Sequence, residues 1–362
     1  MRDRSFNLES PAFPRGVFCW LRSTIAGGTL TLSGVLALSG ALFVSFGLSQ
    51  PATGEVFVTA EQLAARLAAE AQRTDLANGP TSQGETSKAS DGGWHDAVRP
   101  LVVVHVGHGR KGYDRGHIAG AIYVEGRDTY ASREGVDTVL PTPEDFAAWL
   151  GALGIGPGVD LLLYGDAAGV FPARVYAGLT LLGLDDHARL LDGHLREWVA
   201  QGRPVSTQPP PPRDPVVIPT DLSDRVSALE ARAVLDARAA KAFAGQTRVP
   251  ATDQRGHLPR SVNLPWRTLV PNIQRPVIAP DAQARVFDAV MRGLPGDTAR
   301  PDVFGFPLRV VDDRGNGAAV LTAILKHFGY DARFDDRGIP GYTLDNGTLV
   351  KPTPTPSTDA TP

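Results

Sequence analysis

The sequence predicts an α/β protein built as two tandem halves, each a parallel sheet covered by helices on both faces. Short apolar runs alternate with helix-patterned stretches. The same alternation recurs after a proline-rich break at Gln208–Pro215. At 362 residues the chain also has room for two domains of roughly 150 residues each.

Composition narrows the function classes. A hydrophobic share of 42% and a charged share of 21% are those of a globular protein. A formal charge of −3 offers no polyanion-binding surface, so no nucleic acid partner is expected. The single cysteine, Cys19, rules out an intramolecular disulfide and a cysteine-based zinc site. No cofactor is expected.

Residues 1–50 read as an address. Ser23 to Gly54 carry no charge, and the apolar run Ile25–Leu48 comes after Arg2, Arg4, Arg15 and Arg22 with only Asp3 and Glu9 against them. Positive charge before an apolar run keeps the N-terminus cytoplasmic and sends the downstream chain across the membrane. The run is about 24 residues long, enough for a span that needs roughly 20. An uncleaved anchor is the favoured expectation. Cleavage near Gly47 and Ser49 is the alternative. The expected location is the cytoplasmic membrane with the domains facing the periplasm or exterior, or a secreted or periplasmic product after cleavage. Cys19 then lies on the cytoplasmic side.

The first half is expected over residues 56–205. Thr59 to Gln62 is a capping box opening a helix at Ala60–Ala71. Residues 73–99 are polar and glycine-rich, the composition of a mobile surface insertion. Leu101–Val104 is an apolar run. Thr142-Pro143-Glu144-Asp145 starts a helix with proline at its first position. A strand at Leu161–Tyr164, a helix at Val170–Leu182 and a strand at Arg189–Leu191 come next.

Residues 206–216 form a stiff linker, and the second half, 217–350, repeats the plan. Ser227–Glu230 fits a second capping box, and Ala233–Leu235 a strand. Asp281–Met291 is helical in pattern, Leu308–Val311 a strand, Gly317–Phe328 a helix and Ala332–Phe334 a strand. The tail, 351–362, is Pro/Thr-rich and expected to be disordered.

Two segments carry a family resemblance. Tyr113-Asp-Arg-Gly-His117-Ile-Ala-Gly-Ala-Ile-Tyr-Val124 resembles the rhodanese signature, with Ala119 where proline is usual. Gly256-His257-Leu-Pro-Arg-Ser-Val-Asn-Leu-Pro-Trp266 resembles it again, preceded by Asp236-Ala-Arg238 and Phe243-Ala-Gly245. Leu191-Asp-Gly-His-Leu-Arg-Glu-Trp198 and Gly202-Arg-Pro-Val205 look like the end of a rhodanese domain. Their order and repetition, from about Val56 to Val350, resemble the tandem thiosulfate or mercaptopyruvate sulfurtransferases. The resemblance implies two doubly wound domains. It also implies a strand-end cysteine opening a loop whose N–H groups cradle an anion at a helix N-terminus.

The chain departs from that pattern. Reading back from Gly329-Tyr330 aligns Asp312-Asp313-Arg314-Gly315-Asn316-Gly317-Ala318 with the cysteine loop, and Asp312 takes the nucleophile position. Counting back from Gly183 places Asp166 at the first half's vestigial position. A carboxylate cannot form a persulfide. It can sit in the same cradle, where N–H donors would lower its pKa. Ala242, beside Lys241, replaces an arginine that in relatives helps bind the anionic substrate.

Each remaining residue has a plain reading beside a sharper one. His117 and His257 are expected to be architectural, and Asp236 with Arg238 a structural ion pair. Trp266 is expected to pack at the domain interface, with a substrate platform near the cleft as the alternative. His105, His108 and His117 suggest a metal, but His105 and His108 on one strand would face opposite ways, so none is expected.

The leading expectation is an exported, membrane-anchored rhodanese-like protein inactive in sulfur transfer, acting as a binding or partner module. Its expected partners are the membrane and a small anion or a partner protein. The alternatives are a sulfurtransferase using an external thiol, and a hydrolase using Asp312 or Asp313.

Overall fold

The computed structural model describes residues 55–78, 94, 99–166, 169–220, 231, 233–273, 276–294 and 306–351. The apolar N-terminal run, the Ser227–Glu230 capping box and the tail from residue 352 lie outside them. Among the described residues no helix is long and apolar enough to cross a membrane.

The first half opens with β1 (Phe57–Val58) and α1 (Ala60–Asn78). The capping box forms reciprocally, Thr59 N–H donating to Gln62 Oε1 at 2.7 Å and Gln62 N–H to Thr59 Oγ1 at 3.3 Å. α1 runs on past Ala71 into the stretch read as a surface insertion. Within that stretch Trp94 is buried, its ring 5.9 Å from the buried Arg66 guanidinium.

Next are β2 (Leu101–Gly107), α2 (Lys111–Arg115) and β3 (Ile122–Glu125). Then come the hairpin β4 (Ala131–Arg133) and β5 (Val136–Val139), and α3 (Pro143–Ala152). Thr142 caps α3 by accepting from Asp145 N–H at 3.2 Å, with Pro143 in the first turn. β6 (Asp160–Tyr164), α4 (Val170–Leu182), β7 (Ala188–Leu191) and α5 (His194–Ala200) complete the half. Its sheet has the order β1-β7-β6-β2-β3, every pair parallel.

The second half contains β8 (Ala233–Asp236), α6 (Ala240–Phe243), β9 (Val262–Asn263), α7 (Trp266–Leu269) and α8 (Ala282–Gly293). It ends with β10 (Leu308–Val311), α9 (Asn316–His327), β11 (Ala332–Phe334) and α10 (Gly338–Leu344). Its parallel order β11-β10-β8-β9 repeats β7-β6-β2-β3 of the first sheet. Parallel strands need crossovers, and the helices that supply them cover both faces, which is why the central strands are largely apolar, with His105 in β2 and Arg309 in β10 among the exceptions.

The halves share their interior within one compact unit. Leu140, Ala173 and Ala177 of the first half lie in the second half's core cluster, and Ala323 of the second lies in the first's. α4 and α9, which succeed equivalent strands, pack together. The β4–β5 hairpin docks on the second half. Arg133 pairs with Asp336 at 2.7 Å, Leu140 N–H donates to the same carboxylate at 3.1 Å, and Glu134 pairs with Arg337 at 3.0 Å. The linker lies against the first half, Val216 N–H donating to Gly151 O at 2.9 Å.

Candidate functional site

The strand-to-helix turn after β10 holds the predicted loop. Asp312, Asp313 and Arg314 leave the strand, Gly315 turns the chain with φ +72°, and α9 starts at Asn316. Only glycine takes that conformation without steric cost, and here a Cβ would also fall 2.6 Å from Arg174 Nη1.

The Asp312 side chain turns into this loop and fills it. Its Oδ1 accepts from Arg314 N–H at 2.9 Å and, at shorter range, from Gly315 N–H. Its Oδ2 accepts from Gly317 N–H at 2.6 Å and Ala318 N–H at 3.1 Å. The helix N-terminus thus binds an anion belonging to its own chain. Asp312 is 5% exposed. Trp266 lies against Gly317, where a Cβ would come 2.5 Å from the indole, and Gly338 packs on the Asp312 carbonyl.

The expected lowering of the Asp312 pKa is not what the site produces. Burial, and then the Asp313 carboxylate, push it above the usual carboxylate range, while the N–H groups of Arg314, Ala318 and Gly315 pull the other way. Loss of water outweighs the donors because the carboxylate is almost wholly withdrawn from solvent.

Outside the loop is a cleft of about 210 Å³ lined by Asp137, Thr138, Pro250, Asp313, Arg314 and Pro340. Its walls come from both halves, but Asp312 is not among them.

Asp166 occupies the corresponding turn after β6 and behaves differently. Its half-exposed carboxylate reaches across to β2, 3.2 Å from His105 Nε2. The His105 imidazole beside it holds it below the usual range despite partial burial. His194 is buried behind this turn and accepts from Gly165 N–H at 3.3 Å.

His117 and His257 take matching places in the two halves. His117 stacks on Tyr113 with ring centroids 3.7 Å apart, and its ring nitrogens face the carbonyls of Tyr113 and Gln208 at 2.9 and 3.1 Å. His257 stacks on Phe243 at 3.6 Å and faces the Phe243 carbonyl at 2.9 Å. Each sits on an antiparallel bridge to the end of its own half, at Ser206 and Val350. Asp236 and Arg238 form a buried pair at 2.7 Å, and Arg238 also donates to Gly256 O. Lys241 is exposed on α6. His108 lies 3.5 Å from Glu125, and among the described residues no group of three or more His, Cys, Asp or Glu could hold a metal ion.

Sequence reasoning missed the residues beneath the loop. Arg174 is wholly buried, and Tyr130, under its guanidinium at 4.0 Å, donates to Asn316 Oδ1 at 2.6 Å. The one signal in the sequence was a lone arginine inside the otherwise apolar helix Val170–Leu182.

Likenesses to known proteins agree on architecture. No family model matches the chain. It is 30% identical over 183 residues to a putative thiosulfate sulfurtransferase 1 of Mycobacterium bovis, a match covering 46% of this chain and 64% of that protein. It is 34% identical over 172 residues to human 3-mercaptopyruvate sulfurtransferase, covering 43% of this chain and 57% of that one. The chain therefore spans less than two thirds of the length of these curated relatives. Among solved structures it is similar to YnjE, with a TM-score of 0.61, 18% identity, and 83% and 69% of the two chains covered. It also matches SseA from Escherichia coli, a 3-mercaptopyruvate sulfotransferase described as having the rhodanese fold. That match has a TM-score of 0.50, 20% identity, and 78% and 97% coverage. These likenesses show a rhodanese-type α/β fold with parallel sheets.

Proposed function

We propose that this protein is a rhodanese-like binding or partner module that does not itself transfer sulfur. What supports this reading is the Asp312 carboxylate, which fills the loop with its own oxygens and is held there by four backbone N–H groups. A loop so occupied repels a second anion and presents no polarizable nucleophile. Asp312 takes the place of the family's cysteine in this proposal, and Cys19, on the cytoplasmic side of the apolar run, cannot replace it. That run anchors the chain in the cytoplasmic membrane, with residues 56–350 outside, facing a small anion or a partner protein.

Purified full-length protein is expected to give no thiosulfate:cyanide or mercaptopyruvate sulfurtransferase turnover above background. Robust turnover by this chain alone would overturn the proposal. Its placement is tested separately: the chain should fractionate with membranes and be cleaved by protease added from the outer side.

The names of the similar proteins favour a second reading, a sulfurtransferase that borrows a thiol from a partner. It requires turnover only when that thiol carrier is added. A hydrolase using Asp312 is disfavoured by the burial of that side chain.

A further inference from the structure

α4 is apolar along most of its length, yet Arg174 sits in its middle with no exposed surface. Every hydrogen-bond acceptor around its guanidinium is neutral. Nε donates to Thr129 Oγ1 at 3.1 Å, and Nη2 to the carbonyls of Thr129, Thr138 and Val139 at 2.7, 3.1 and 3.2 Å. Nη1 donates across to the second half, to the Arg314 carbonyl at 3.4 Å. These bonds give each of the three nitrogens a partner but do not balance the charge, and an unbalanced buried cation is costly. The Tyr130 ring face beneath it offsets part of that cost.

The same loop carries the opposite imbalance. Four N–H donors face the Asp312 carboxylate, an arrangement that suits the ionised form and leaves a carboxylic proton without an acceptor. Gly315 brings the loop backbone directly against the guanidinium, since a Cβ there would lie 2.6 Å from Nη1. Asp312 and Asp336 are the carboxylates whose charge acts on Arg174. Asp336 already has Arg133 as its partner. The other charges at hand are Asp313 and Arg314 in the loop and the mutually paired Asp236 and Arg238 on the neighbouring strand end.

We infer that Arg174 is the counter-charge and positioning residue of Asp312, supplied by the first half to hold the second half's loop closed around its own carboxylate. The inference deepens the self-occupied loop of the proposed function, but it concerns charge and position, not turnover. A chain that transferred sulfur would sink the functional reading and leave this one standing.

The test is a carbon-detected NMR titration of the Asp312 carboxyl in the full chain labelled at aspartate, with D312N assigning the signal. R174M should raise the Asp312 midpoint by about one pH unit or more, and R174K by clearly less, because lysine keeps the charge. A structural filler would lower the melting temperature without moving that midpoint. A second measurement covers the case in which R174M does not fold. In the cycle of R174K, D312N and the double variant, D312N should lessen the melting-temperature loss caused by R174K, because the buried charges are then no longer both required. Midpoints unchanged in both Arg174 variants, or additive losses in the cycle, would overturn the inference.

Discussion

The Tyr130 hydroxyl donates to Asn316 Oδ1 at 2.6 Å, so a first-half side chain ends on the opening residue of α9. Tyr130→Phe keeps the ring under Arg174 and removes only this bond. It should cost about 1 kcal/mol, the usual net value of such a bond. Urea unfolding of the variant checks this, and a loss near zero would mean that solvent replaces the contact freely.

Asp312→Ala leaves four donors without their acceptor. A destabilisation of about 3 kcal/mol or more is expected from unpaired buried N–H groups. Asp312→Asn should be nearly as damaging, because its amide turns a donor toward N–H groups. Both are read by denaturant midpoints.

Asp312→Cys addresses access. The Asp312 side chain is almost wholly buried, so a thiol in its place should be alkylated slowly and support no sulfurtransferase turnover. Rapid alkylation with turnover would mean that the loop opens easily.

Gly315→Ala combines a left-handed backbone with a Cβ only 2.6 Å from Arg174 Nη1. It should destabilise by about 1–3 kcal/mol, the range for such backbone strain, before any displacement of Arg174 is added. Thermal melts at neutral pH measure it.

Two neighbouring groups give opposite pH dependences. Burial pushes Asp192 up to about 6, although it accepts from Ile278 N–H across the halves at 3.1 Å. Its folded form favours the proton, so its contribution is full below the unfolded value of 3.8 and is lost as pH rises through about 6. Burial, and then His105, lower His194 to about 4, so its contribution is present above 6.5 and lost as pH falls through about 4. Melting temperatures from pH 4 to 8 should fall more steeply on acidification in Asp192→Asn and less steeply in His194→Asn. The same slope in both variants would contradict the assignment.

The sequence carried the parallel strands and main helices because their apolar runs are buried on both faces. β10 and β11 end where their patterns end, and α4 spans the expected residues. β1 and β9 have two residues each, too short for any periodicity. The β4–β5 hairpin was not legible, since Arg133 and Glu134 look like solvent charges until Asp336 and Arg337 meet them. At the site, Asp312 could be aligned from the strand and helix around it. The direction of its pKa shift could not, because that depends on how completely the folded chain withdraws the carboxylate from water.

The shared interior also limits how the molecule can move. With Leu140, Ala173 and Ala177 embedded in the neighbouring core, swinging one half away would tear apolar surface into water where α4 and α9 pack together. A hinged clamp is therefore the wrong picture, and 206–216 is a tether between parts already fused. Cutting that tether should leave two fragments that travel together, and any partner must be met by rearranging loops on a rigid body.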